Sequence, residues 1–474
     1  MAFVFYDTET TGTDTSFDQI LQFAAIRTDD DLNELERFEI RCRLLPHMIP
    51  APRALLTTGV TPALLTDRSL PSHYQAICQI ADKLESWSPA NFVGYNSMEF
   101  DERLLRQAFY QNLKPIYLTN AGRNRRVDIL KLIDATIVFA PKSIVLPLSG
   151  NGRITRRLDT IAPANGFNHE NAHDALADVE ATIYMARLVR TRNPLLWDGL
   201  LATSAKDSAI GVLQSNATLA LVESRYGRQT VIPVSWCGQN PMYAAQVGVF
   251  DLRNDPADFF GLTVEDLVAT MRAPQSPFRI VQANSNPILF PLAQAAIGTI
   301  KECPSSAVVA SRAQAIARNR TFQTKVGDAI AGRYPEKTPS QFVEKRIYDG
   351  FPTTGDVRMA EVFHKSPWDA RRPILDKMTD ERCRDLGLRL IGIEASEHLS
   401  PDDSARFNAW LRNRRVGPAP NQTFRTVDQA IAECTNDLEC ASANEKEQLR
   451  EILSWLEAQS EMTPTAELRL STVG

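Results

Sequence analysis

Apolar residues near the N-terminus gather in short runs, and each run stops at acidic or turn-forming residues. Phe3 to Tyr6 leads into Asp7-Thr8-Glu9-Thr10-Thr11-Gly12, which predicts a buried strand ending in two carboxylates, with a turn at Gly12. Ile20 to Ile26 predicts a second strand and Thr28 to Asp31 a turn. Phe38 to Leu45 alternates well enough for a third strand, so the three form an antiparallel meander. Phe92 to Tyr95 reads as another short strand. Leu104, Leu105, Ala108 and Phe109 then repeat at helical spacing, so Asp101 opens a helix. Val127 to Ile137 is helical in pattern, and Ala175, Val179, Ala186 and Val189 make an apolar stripe on a helix that Asn193-Pro194 ends. Thr218 to Glu223, Thr230 to Trp236 and Gln246 to Leu252 read as strands of a small barrel or sandwich, with a turn signal at Tyr226-Gly227. From about Asp356 the pattern turns helical: Trp368 to Met378, Asp380 to Leu390, Asp402 to Arg415, Val427 to Glu439 and Asn444 to Gln459.

Composition narrows the function classes. At 474 residues the chain is too long for one ordinary core, and two or three domains are expected. An apolar fraction of 43% with 23% charged residues is that of a globular protein, and no apolar run is long enough for a membrane span, which places the chain in the cytoplasm with no membrane partner. The seven cysteines are scattered and never paired as C-x-x-C, so neither a zinc site nor a disulfide framework is expected. A net charge of -5 argues against a protein that coats nucleic acid everywhere. Basic residues are nonetheless clustered at Arg123, Arg125 and Arg126, at Arg153, Arg156 and Arg157, and from Lys301 to Asp349, where nine Lys or Arg stand against five Asp or Glu. The last stretch fits a nucleic-acid groove or a solvated helical surface equally well.

The acidic residues carry the chemistry. A strand repeats every two residues, so Asp7 and Glu9 share a face and sit close enough to share a ligand. Bare carboxylates that close repel, which calls for a cation, and hard oxygen donors without a nearby Cys suggest Mg²⁺ or Mn²⁺. His173 and Asp178 are five residues apart, about 140° around a helix, so both can face one site only if His173 lies at the helix start.

These motifs resemble those of the DEDD superfamily of 3'-to-5' exonucleases, in its His-containing branch. Asp-Thr-Glu-Thr-Thr-Gly is similar to the first motif, Gly-Tyr-Asn-x-x-x-Phe-Asp to the second, and Asn-Ala-His-Asp-Ala-x-Ala-Asp to the third, in the required order. The wording and domain order are most similar to the exonuclease I family, strongest over residues 1–200. That resemblance implies an α/β ribonuclease H-like exonuclease domain at 1–195, an SH3-like β-rich domain at 196–352 and a helical C-terminal domain at 353–474. It further implies a monomeric exodeoxyribonuclease active in DNA repair that degrades single-stranded DNA to 5'-mononucleotides. Asp7, Glu9, Asp101 and Asp178 would hold two Mg²⁺ ions about 4 Å apart, and His173 would take a proton from the attacking water. Glu9, Thr10, Asn96, Phe100 and Arg157 would touch substrate, Arg157 by gripping a phosphate. The acidic C-terminal tail of single-stranded DNA-binding protein is the implied partner. A related exoribonuclease and an inactive scaffold in a repair or replication assembly are the alternatives.

Overall fold

The computed structural model describes residues 1–168, 173–225, 227–293, 300, 303–333, 338–417 and 424–461. Its N-terminal sheet has the order β3-β2-β1-β4-β5. β1 (Phe3–Thr10), β2 (Ile20–Thr28) and β3 (Glu34–Arg41) form the antiparallel meander, and β4 (Asn91–Gly94) and β5 (Arg125–Asp128) extend it parallel to β1. β3 begins at Glu34, earlier than the apolar pattern suggests. The Asp29 carboxylate accepts from the amides of Asp31 and Asn33 and reverses the chain at once, so pairing starts opposite Thr28. Val127, expected at a helix start, is instead in β5. Asp128 ends that strand and caps the helix Ile129–Phe139 by accepting from the Leu130 amide.

The two-residue period of β1 sorts its side chains between two cores. Phe3 and Phe5 pack with Val93, Ile133, Val179 and Ala186 under the helices Ile129–Phe139 and Ala175–Arg192. Val4 and Tyr6 pack with Phe23, Ile77, Leu84, Leu104 and Phe109 under the helices His73–Ser86 and Asp101–Gln111. Burying a side chain of this kind fully contributes roughly 1.5–3 kcal/mol. Helices thus lie on both faces of a mixed sheet, the α/β arrangement expected for this part of the chain.

A second sheet follows, antiparallel throughout, in the order β10-β6-β7-β8-β9. Its strands are β6 (Leu219–Arg225), β7 (Arg228–Gln239), β8 (Gln246–Asp251), β9 (Phe278–Gln282) and β10 (Leu289–Pro291). The helix Arg320–Ala331 lies so close on β7 that a Cβ at Gly327 would stand 2.5 Å from the Gln239 carbonyl, which is why glycine is required there. No seam separates this unit from the first sheet. Trp197 packs against Phe3 with ring centres 5.5 Å apart and ring planes tilted by 49°, and one apolar core runs from Phe3 through Trp197 and Phe290 to Ile330.

Helices dominate the rest of the chain: Thr354–Lys365, Trp368–Leu375, Glu381–Glu394, Pro401–Val416, Val427–Cys440 and Ala443–Glu461. They return to the first unit in two places. Leu386 and Ile391 pack with Tyr74 and Tyr110, while Val427 and Leu456 pack with Leu21 and Leu55. All seven cysteines are free thiols. Among the described residues no helix is long and apolar enough to cross a membrane.

Candidate active site

β1 supplies both sides of the site from adjacent residues. Asp7 and Glu9 share the parity of Phe3 and Phe5, so they face the helix Ala175–Arg192, whose first turn carries Asp178. Carboxylate oxygens of Asp7, Glu9 and Asp178 all lie within 4.8 Å of one another. Thr8 faces the other way, where its hydroxyl donates to Asp101 Oδ1 at 2.6 Å. Asp101 begins the helix Asp101–Gln111 and is buried; it is not one of the three clustered carboxylates, though its charge acts on Asp7 and Glu9.

The electrostatics favour a cation. Burial, then the charges of Asp101, Asp178 and Glu9, holds the Asp7 carboxyl well above the usual carboxylate range. Burial, then Asp178 and Asp101, lifts Glu9 to about 9 against the opposing charge of Arg41. Asp101 is raised to about 7 by burial, with the Thr8 hydrogen bond pulling the other way. Carboxylates so raised relax when a divalent ion enters among them. The three clustered donors are hard oxygens with neither Cys nor His, which fits Mg²⁺ or Mn²⁺.

His173 stands just ahead of its helix with φ 68°, a left-handed conformation, and Asp174 follows as the cap, accepting from the amides of Leu176 and Ala177. That bend resolves the angular problem, because His173 and Asp178 line one cleft of about 510 Å³. His173 Nε2 is 3.8 Å from Asp159 Oδ2. Asn96 and Arg157 line the same cleft. Asn96 is exposed with φ 61°, and its amide donates to Asp128 Oδ1 at 2.9 Å. Arg157 is exposed and forks onto Asp159.

Asp7, Glu9, Thr10, Phe100 and Asp101 are not among the residues lining that cleft. The Thr10 hydroxyl donates to the Gly12 carbonyl at 2.7 Å and tightens the turn after β1, while half-buried Phe100 immediately precedes Asp101. Sequence reasoning missed Thr8, which sits between Asp7 and Glu9 and bonds Asp101 on the other side of the strand. It also missed Asp174, which takes Arg41 at 2.7 Å and Gln22 at 3.0 Å, and Asp128, whose only sequence signal was its place before a helix.

The chain is similar to known exonucleases in sequence and in fold. A family model described as Exonuclease, of the RNase T group, matches residues 4–186. Exodeoxyribonuclease I of Escherichia coli strain K12 is 29% identical over 437 residues, covering 87% of this chain and 89% of that one. Exonuclease I from Methylocaldum szegediense has the same fold with a TM-score of 0.82 at 27% identity, over 97% of this chain and 99% of that one. E. coli exonuclease I in complex with a dA16 oligonucleotide gives a TM-score of 0.81 at 26% identity, over 98% and 99%.

Proposed function

From its similarity to exonuclease I along most of its length, we propose that the chain hydrolyses single-stranded DNA from the 3' end and releases 5'-mononucleotides. The observation that carries this reading is the cluster of Asp7, Glu9 and Asp178, whose Asp178 also lines the cleft that His173 lines. Asp7, Glu9, Asp101 and Asp178 are the residues that would hold two divalent ions, with Mg²⁺ the expected species. When bound, those ions neutralise charge on the scissile phosphate and make water a stronger acid near neutral pH.

The chain's own groups do the rest. The attacking water oxygen forms a bond to phosphorus as the bond from phosphorus to the 3' oxygen breaks, and His173 accepts the water proton. An imidazole suits that task at neutral pH, and His173 Nε2 stands 3.8 Å from Asp159 Oδ2. The peptide amides of Asn96 and Met98 are fixed on Asp128, which shapes the wall of the cleft where the strand end would lie. Arg157, at the mouth, exchanges Asp159 for a phosphate. Residues beyond 195 contribute none of the acids and no His of the set. The E. coli relative holds an oligonucleotide on the same backbone, which supports single-stranded DNA as the substrate. By the same similarity the assignment extends to a monomeric cytoplasmic enzyme of DNA repair that binds the acidic tail of single-stranded DNA-binding protein.

The test is digestion of end-labelled single-stranded DNA, blunt duplex DNA and RNA, each with Mg²⁺ and with EDTA. Mononucleotides should appear from single-stranded DNA in Mg²⁺ only. Equal rates on blunt duplex, a preference for RNA, or cleavage in EDTA would each refute the assignment.

A further inference from the structure

Beneath the carboxylates lies a buried polar cluster that the hydrolysis does not use. Glu102 follows Asp101 in the helix and is 1% exposed. Its Oε1 accepts from Thr119 Oγ1 at 2.6 Å, Arg106 Nη2 at 2.8 Å and Arg126 Nη1 at 3.0 Å, and its Oε2 accepts from the hydroxyl of Tyr6, the neighbour of Asp7, at 3.0 Å. Charge runs are usually solvated surface, and Arg126 stands in one. It is instead 7% exposed, and its second nitrogen, Nη2, donates to the Asn284 carbonyl at 2.5 Å.

Asn284 belongs to the loop joining β9 to β10 of the second sheet. The next two residues of that loop are bonded to the first unit as well. Lys131 Nζ donates to the Ser285 carbonyl, and the Asp128 amide donates to Asn286 Oδ1 at 3.1 Å. Asn286 is itself 1% exposed and left-handed, with φ 49°, and its Nδ2 donates to the Leu200 carbonyl at 2.8 Å and Thr203 Oγ1 at 3.0 Å. The other end of Asp128, its carboxylate, holds the amides of Asn96 and Met98, in the turn that runs into Asp101.

A buried guanidinium and a left-handed asparagine both cost stability, and such features persist where surrounding groups over-determine a geometry. None of Glu102, Arg126 and Asn286 is exposed enough to touch a DNA strand. Each is one or two bonds from a residue that shapes the acidic cluster. We infer that loop 284–286 of the second sheet is a positioning element of the active site, fixing Asp101 against Asp7 through Arg126 and Glu102, and the preceding turn through Asp128. The second sheet therefore contributes to the chemistry as well as to any grip on the strand. The inference rests on the reading of Asp101 as a residue that holds a divalent ion.

The test compares Arg126→Met, Arg126→Lys and Asn286→Ala with the wild-type full chain. Two quantities are read: the rise in melting temperature on adding Mg²⁺ to protein stripped with EDTA, and kcat and KM on a single-stranded oligonucleotide. Disturbing a partner that orients a metal ligand typically costs about 10- to 100-fold in metal affinity or activity. Arg126→Met and Asn286→Ala should lose kcat on that scale, keep KM near wild type and show a smaller Mg²⁺-induced rise, with Arg126→Lys recovering part of both. Tyr110→Phe serves as control. It removes a buried bond of 2.9 Å to the Val343 carbonyl from the same helix, and should lower the basal melting temperature without changing the Mg²⁺-induced rise.

If Arg126→Met does not fold, Asn286→Ala and Arg126→Lys decide the matter alone. Folded variants whose kcat and Mg²⁺-induced rise equal wild type overturn the inference, whatever their basal stability. The same holds if Tyr110→Phe loses as much of the rise as they do. Failure of the functional assignment looks different: the wild-type chain itself would then show no Mg²⁺-dependent cleavage of single-stranded DNA.

Discussion

Glu9→Gln should make the metal-free protein more stable while destroying its activity. Glu9 is 8% exposed, and burial beside Asp178 raises its carboxyl from 4.5 to about 9. In the stripped protein at pH 7.5 the folded chain keeps the Glu9 proton, whereas an unfolded chain loses it near 4.5. Because the folded value is the higher one, stability is greatest at low pH and falls as pH rises from about 4.5 to about 9. At about 1.4 kcal/mol per pH unit, the interval from 4.5 to 7.5 sets an upper bound of about 4 kcal/mol. Relaxation and water entering the site reduce that to about 2 kcal/mol. Gln is neutral at every pH and escapes the penalty. The core that Glu9 sits on runs as far as Ile330, and for a unit that large 1 kcal/mol moves the melting temperature by only about 1–1.5 °C, so Glu9→Gln should melt roughly 2–3 °C above wild type in EDTA at pH 7.5. At pH 5.5 the gap should shrink by more than half. In saturating Mg²⁺ the order should reverse, because wild type gains binding free energy that the variant cannot. Scanning fluorimetry at both pH values, with EDTA and with Mg²⁺, reads all of this. A variant that melts at or below wild type in EDTA at pH 7.5 would refute the picture of mutually repelling buried carboxylates, as would a gap unchanged at pH 5.5.

Asp178→Ala should all but abolish turnover and remove most of the Mg²⁺-induced rise in melting temperature, with excess Mg²⁺ restoring little; recovery of full rate at high Mg²⁺ would mean that Asp178 is dispensable as a ligand. His173→Ala should lower kcat by about 10²- to 10⁴-fold while leaving the Mg²⁺-induced rise near wild type, since its work is to move a proton. A lost rise would make His173 a ligand, and an unchanged kcat would assign the proton to another group. A fragment of residues 1–195 should show no cooperative melting, because it lacks Trp197 and Leu200, which close the core around Phe3 and Val189. A sharp transition with Mg²⁺-dependent cleavage of short oligonucleotides by that fragment would show the first unit to be self-sufficient.

What could be read from the sequence was what local periodicity controls. The parity of a strand put Asp7 and Glu9 together, and the pitch of a helix required His173 to stand ahead of Asp178, as it does. The five C-terminal helices lie within a few residues of their apolar stripes. What escaped depends on partners far away in the chain. β5 is four residues long and begins with two arginines, so nothing in its pattern announces a strand; it exists because Asn91 to Gly94 lies alongside. β10 is only three residues long, too short for any alternation. Charge told least of all. Arg126 is neutralised inside the protein, and in the basic stretch after residue 300 Arg312 donates to the carbonyls of Leu252 and Arg253 while Lys325 caps that of Leu262. Lys301 and Lys337 of that stretch fall outside the described residues.

The absence of a seam between the two sheets also sets a clock. A ribosome delivers the chain from its N-terminus, and the apolar face that Phe3, Val179 and Val189 present is not covered until Phe290 in β10 has emerged. At about 5–20 residues per second, the roughly one hundred residues between Val189 and Phe290 take about 5–20 s to make. Throughout that interval the nascent chain already carries every acid and the histidine of the site on an unfinished core. Closure of that core waits until the polypeptide is nearly two-thirds made.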